Sequence, residues 1–254
     1  MRALALLPIA LASATPATAQ LTQTDLARAV TRAPADARLP SVALQAVGGG
    51  TTTLARVADG RPLVLLFADF TCRHLCGPGL VLTAGALADS KLVPGGNYRL
   101  AVVGLDPRDG ADAARRFAAP LARTPAIARA TTVLTGSPAA VRTATAALGY
   151  GHVYDAGNDQ FAHDASVYVF AADGHLAATL PEMALTPAAV RAAITGGVGG
   201  TLGERVAHLC YGLSALTGRY DGGAVMGLRV AALAMMAGGA VLLLRRRRHK
   251  QVSA

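Results

Sequence analysis

Aromatic residues make up only 4% of this 254-residue chain, tryptophan is missing altogether, and acidic residues are outnumbered 15 to 24 by lysine and arginine. The shortage of aromatics removes the stacking platforms that a nucleic-acid surface interleaves with its basic residues. The formal charge of +9 does not restore that reading, because Arg245-Arg246-Arg247-Arg248 and Lys250 supply five positive charges and Arg2 one, leaving about three for the rest. Nucleic acid is therefore not an expected partner. No internal repeat is present, which excludes a solenoid. Cysteine is sparse: Cys72, Cys76 and Cys210 are the whole complement. Gly77, not histidine, follows Cys76, so the pattern for covalent haem attachment fails.

Hydrophobic residues, by contrast, are abundant at 52%, but some of them serve export and anchoring rather than a core. Residues 1–19 join a short basic start to an apolar run and end in Ala17-Thr18-Ala19, a small-x-small cleavage site. They read as a signal peptide. Residues 224–244 are 21 positions whose only charge is Arg229. That length suits one membrane-spanning helix, with Arg229 close enough to its start to reach the interface. The basic tail over 245–254 directly follows, and positive residues mark the cytoplasmic side of a span. The expected topology is a single-pass protein of the inner membrane, its main domain facing the periplasm and its C-terminus cytoplasmic.

Between these segments the pattern is α/β. A polar stretch over 20–37 precedes a domain over 38–196, and a glycine-rich linker and juxtamembrane segment fill 197–223. Val42–Val47 alternates like a strand before the turn Gly48-Gly49-Gly50. Four apolar runs follow, at Leu63–Phe67, Arg99–Val103, Thr131–Leu134 and Val167–Phe170, and the last turns back into His175–Leu180. Helical segments are expected over Gly79–Asp89, Gly110–Ala122, Pro138–Leu148 and Pro187–Thr195, with Ser137 and Thr186 as N-caps. Strands alternating with helices and closing in a hairpin and a helix predict a thioredoxin-like domain with a central mixed sheet, plus one C-terminal transmembrane helix.

The residues able to carry chemistry are few. Cys72 and Cys76 follow the first buried strand, where it gives way to a helix, at a spacing that can put both on one helical face. Such a pair can bind a soft metal, exchange electrons as a dithiol, or close a structural disulfide. A disulfide around so short a loop stabilises little by chain entropy, which weakens the third reading. Among six histidines, His163 stands out, in a polar loop over Asp159–Ala165 that leads into the strand beginning at Ser166. In a thioredoxin-like sheet that loop lies near the first strand-to-helix junction. Two thiolates and one imidazole make a trigonal set that suits copper, whereas zinc in a structural site wants a fourth ligand, for which His74 is the candidate. Arg73 beside the thiols is expected to favour thiolate. Cys210 reads as a partly buried free thiol.

Several ordered landmarks resemble the Sco (SenC/PrrC-type) copper-binding assembly factors of cytochrome c oxidase. They are Gly60-Arg-Pro-Leu-Val-Leu-Leu-Phe67, Cys72-x-x-x-Cys76, Gly104-Leu-Asp-Pro-Arg-Asp109, Leu134-Thr-Gly136 and Phe161-Ala-His163-Asp-Ala-Ser-Val-Tyr168. The resemblance runs from about Arg38 to Ala193 and implies copper ligation by Cys72, Cys76 and His163. It also implies an oxidase subunit with a binuclear copper centre as client, with other copper chaperones or thiol–disulfide proteins as further partners. Two departures are visible: Arg73 and Gly77 stand where the family commonly has proline, and the anchor is C-terminal rather than N-terminal. The rival reading is a thiol–disulfide oxidoreductase that keeps client cysteines reduced without metal; a peroxide-reducing enzyme on the same fold is weaker, since only Cys210 is left to resolve it.

Overall fold

A computed structural model describes residues 21–31, 33–34, 36–72 and 76–196. The expected signal peptide over 1–19, the expected span over 224–244, the basic tail, Cys210, Arg73 and His74 lie outside the described residues. Among the described residues no helix is long and apolar enough to cross a membrane.

The chain order is α1 (Gln23–Arg28), β1 (Leu44–Ala46), β2 (Thr51–Thr52), α2 (Leu54–Ala58), β3 (Leu63–Ala68) and α3 (Cys76–Asp89). Then come β4 (Arg99–Gly104), α4 (Ala111–Ala118), α5 (Pro125–Ala130), β5 (Thr131–Thr135) and α6 (Pro138–Ala147). The last elements are β6 (His152–Asp155), β7 (Gln160–His163), β8 (Ser166–Phe170), β9 (Leu176–Pro181) and α7 (Pro187–Thr195). Seven strands form one mixed sheet in the order β2-β1-β5-β4-β3-β8-β9, in which β3, β4 and β5 run parallel and the outer neighbours antiparallel. The expected mixed α/β sheet is thus present.

The apolar runs form strands because both of their faces are covered. All six residues of β3 are buried. Its side chains alternate, Val64, Leu66 and Ala68 toward Leu80 and Leu87 of α3 and Val190 of α7. Leu63, Leu65 and Phe67 turn the other way, toward Leu54 of α2 and Val141 of α6. Ser137 and Thr186 cap α6 and α7 as expected, accepting from the amides of Ala140 and Ala189.

Two expectations need correcting. The single helix over 110–122 is α4 followed by a 3₁₀ turn over Ala119–Arg123, and a separate α5 begins at Pro125. Pro120 and Pro125 lack the N–H that a continuous helix requires, so each opens a new turn instead. The second correction matters more. The polar loop expected around His163 is a strand: β7 pairs antiparallel with β6, with His152 opposite His163 and Tyr154 opposite Phe161.

This two-stranded hairpin stands at the end of the sheet where the parallel strands finish. The register pairs Ala68 with Gly104, so the loops after β3 and β4 lie side by side. One contact fixes how close they come. A Cβ on Gly104 would stand 2.7 Å from Cε2 of Phe70, so the Phe70 ring occupies the space that any larger residue would fill. Ligand sites in α/β sheets gather at this carboxyl edge of the strands.

Candidate metal centre

At the end of β3 the chain makes a turn rather than continuing, and Asp69 builds it. Its backbone carbonyl accepts from the Cys72 amide at 3.2 Å. Its side chain is fully buried, yet every bond it makes is to a donor it can serve only as an acceptor. Oδ1 accepts from the amide and hydroxyl of Thr71, at 3.0 and 2.9 Å, and Oδ2 accepts from the Phe161 amide at 2.9 Å. One carboxylate therefore joins the cysteine loop to the hairpin strand that carries His163.

Cys72 leaves this turn half-buried, and Cys76 is the buried first residue of α3. Both are reduced. Burial, and then a hydrogen bond with the Cys72 thiol, pushes the Cys76 thiol far above its ordinary value. Burial therefore favours the protonated Cys76 thiol when no metal is present. His163 is pushed the other way: burial lowers it, so its ring is held neutral.

The two meet directly. Cys76 Sγ lies 3.0 Å from His163 Nε2. On the far side of the ring, Nδ1 lies 2.8 Å from the Tyr150 hydroxyl and 2.9 Å from the Asp164 carbonyl. The structure thus brings Cys76 and His163 together across 87 residues of sequence, with Cys72 beside Cys76. Among the described residues no three His, Cys, Asp or Glu side chains stand grouped as a ready metal-ligand set. The Cys76–His163 separation is that of a proton-sharing pair, and it has to open for a metal to enter.

The hairpin is clamped a second time at its tip. Arg108, in the loop after β4, bonds Asp106 and reaches Asp159 at 2.8 Å, and its guanidinium lies 5.0 Å over the Tyr154 ring. Beside Thr71 a cleft of about 340 Å³ opens between the two loops, lined by Asp106, Arg108, Asp109 and the hairpin turn over 158–160. Asp109 accepts from the Phe70 amide at 3.1 Å, and burial with the nearby Asp106 and Asp69 raises it to about 6.

Sequence reasoning reached Cys72, Cys76 and His163 but not Asp69, Tyr150 or Arg108. Asp106, Arg108 and Asp109 lie within a quoted landmark, yet nothing there signals a clamp on a hairpin some 50 residues later. Asp69 precedes Cys72 by three residues, and that turn-forming position was the available signal.

Residues 47–198 match the family model SCO1/SenC. Among solved structures, Arabidopsis thaliana ScoI with copper bound aligns with a TM-score of 0.53 at 17% identity, covering 64% of this chain and 99% of that one. Bradyrhizobium japonicum ScoI with copper bound gives 0.50 at 17% identity, over 62% and 97%. BsSco, described with a disulfide switch and as a member of the Sco family of cytochrome c oxidase assembly proteins, gives 0.52 at 21% identity, over 65% and 98%. At these identities the likeness establishes the fold. No curated protein matches the chain.

Proposed function

The chain belongs to the SCO1/SenC family, and on that premise we propose that it is a membrane-tethered, periplasm-facing copper chaperone whose cargo is held by Cys72, Cys76 and His163. The client we propose is a cytochrome c oxidase subunit with a binuclear copper centre. The single observation that carries the reading is the 3.0 Å approach of Cys76 Sγ to His163 Nε2, with Cys72 alongside. Solved relatives with copper bound support the choice of metal. So does the donor set, since soft thiolates with one imidazole suit monovalent copper.

The protein's own residues prepare the exchange. Cys76 begins a helix packed in the core, so its position is set by α3. Cys72 is only half-buried and sits in a loop, so it is the thiol a client can reach first. Capture requires the Cys76 thiol to lose to solvent the proton it shares with His163, and release takes one back from solvent. The proposed span over 224–244 would keep this exchange at the membrane, raising the effective concentration against a membrane-bound oxidase.

The test uses the reduced full-length chain in detergent, titrated with copper(I) against a chromophoric chelator. One equivalent should bind, and His163→Ala should weaken it. Binding unaltered by His163→Ala removes that residue from the site. A second reading, a thiol–disulfide reductant for client cysteines, draws on the adjacency of the two reduced thiols and on the disulfide switch described for BsSco. The reduction potential of the Cys72–Cys76 pair separates them, because a strongly oxidising pair cannot serve as a reductant.

A further inference from the structure

We propose that Tyr150 is a positioning residue for His163, holding the ring in the one tautomer whose bare nitrogen faces the thiols. The use made of that nitrogen rests on the copper reading; the positioning itself does not. The argument begins with the Asp164 carbonyl, which can only accept. It accepts the Tyr150 hydroxyl proton at 2.8 Å. With that proton committed, the Tyr150 oxygen can present only a lone pair to His163 Nδ1, 2.8 Å away. The Asp164 carbonyl itself lies 2.9 Å from the same nitrogen. Both partners of Nδ1 are acceptors, so Nδ1 carries the ring proton and Nε2 is left bare toward Cys76 Sγ. The opposite tautomer would set the Nδ1 lone pair against the Asp164 carbonyl and would draw the Tyr150 hydroxyl proton away from that carbonyl.

Asp164 cannot do this alone, because it is the next residue in the chain and moves with His163. Tyr150 is fixed independently. Its ring is buried, 4.5 Å from the Phe67 ring at the end of β3, and its centroid is 6.2 Å from that of the imidazole with 29° between their planes. Its neighbour Gly151 is pressed by the N-terminal segment. A Cβ there would meet the Ala29 backbone at 2.5 Å and the Arg28 carbonyl at 2.6 Å, and the Gly151 amide donates to the Thr31 hydroxyl at 3.1 Å. Tyr150 thus refers the imidazole to the same strand whose continuation carries Cys72. Outer hydrogen bonds of this kind orient metal-binding histidines and change metal affinity by about 10–100-fold when lost.

The test reads the tautomer directly, in the metal-free, reduced full-length chain labelled with ¹⁵N-histidine in detergent. His163 is assigned by its loss in His163→Gln. Its ring nitrogen shifts should show Nδ1 protonated and Nε2 bare; the reverse pattern in the wild type overturns the proposal without any variant. Tyr150→Phe should give a mixture of tautomers and about tenfold weaker copper(I) binding. Tyr168→Phe removes another buried hydroxyl, one that bonds the Asp164 carboxylate at 3.3 Å rather than the imidazole, and should leave the tautomer unchanged. An unmoved tautomer in Tyr150→Phe, or an equal shift in Tyr168→Phe, refutes positioning. If the tautomer shifts as expected while His163→Gln leaves copper binding intact, positioning stands and the copper assignment of His163 fails.

Discussion

Glu182 offers the sharpest test of how this domain manages charge behind the site. The residue is 7% exposed, and its carboxylate rests against α3 so closely that a Cβ on Gly79 would stand 2.1 Å from Oε2. Among the described residues its side chain has no hydrogen-bond donor, and a buried carboxylate without one is costly to ionise. Burial first, and then the Asp164 charge, raises Glu182 from 4.5 to about 7. The folded state therefore holds a proton that the unfolded chain releases near 4.5. Between those values the native state binds more protons, so stability falls as pH rises. The stabilisation is fully present below about 4.5 and is lost through about 7. In free energy this is ~3 kcal/mol. Glu182→Gln keeps the shape and removes the ionisation. Denaturant unfolding of the full-length chain from pH 5 to 8 should show wild-type stability declining by ~2.5 kcal/mol more than that of the variant. Asp109, raised to about 6, adds a smaller decline of the same sign in both proteins. Parallel pH profiles for the two would refute the reasoning, because they would mean that Glu182 ionises in the fold without cost.

Three other outcomes follow from single contacts. Asp69→Asn is isosteric yet should destabilise by about 1.5–3 kcal/mol in denaturant unfolding, because its amide must turn N–H₂ toward either Thr71 or Phe161, both donors. The same variant should loosen the hairpin, visible as faster hydrogen exchange at Phe161. Gly104→Ala should cost about 1–3 kcal/mol by thermal or denaturant unfolding, since the new methyl meets Phe70 at 2.7 Å and that ring already packs on Phe117. Alkylation of the reduced, metal-free chain, read by peptide mass mapping, should modify Cys72 well before Cys76; equal rates would contradict the burial and the raised pKa of Cys76.

The sheet was legible because its strands are continuous apolar runs, and Leu63–Ala68 or Val167–Phe170 can be buried on both faces in no other simple way. Helix ends at Ser137 and Thr186 were legible for a different reason: a hydroxyl before a first-turn proline is a local signal. The β6–β7 hairpin carries neither kind of mark. Its strands are four residues each, half-buried, and one begins with glutamine. They hold together through tertiary partners, Asp69 on the Phe161 amide and Arg108 on Asp159 at the turn, which sequence spacing does not reveal. The same limit applied to the site. The cysteines lie four apart and could be read as a pair, whereas Tyr150 and Asp69 act only after folding places them against His163 and Phe161.

That division has a mechanical meaning. Cys76 belongs to the core, because α3 is packed by α7 and by the sheet. His163 belongs to a two-stranded hairpin, and such a ribbon is marginal without support. Its support comes from polar contacts rather than from a large apolar face: one buried carboxylate at Phe161, one exposed ion pair at Asp159, and Tyr150 behind the imidazole. The exposed pair contributes little, since solvent screens it. The buried Asp69 and Tyr150 contacts therefore set both where His163 rests and how far it can withdraw from Cys76. If the site accepts copper and later surrenders it, as proposed, it needs one ligand on a firm base and another on an element that can yield. In that reading Cys76 on α3 is the firm ligand and His163 on β7 the yielding one.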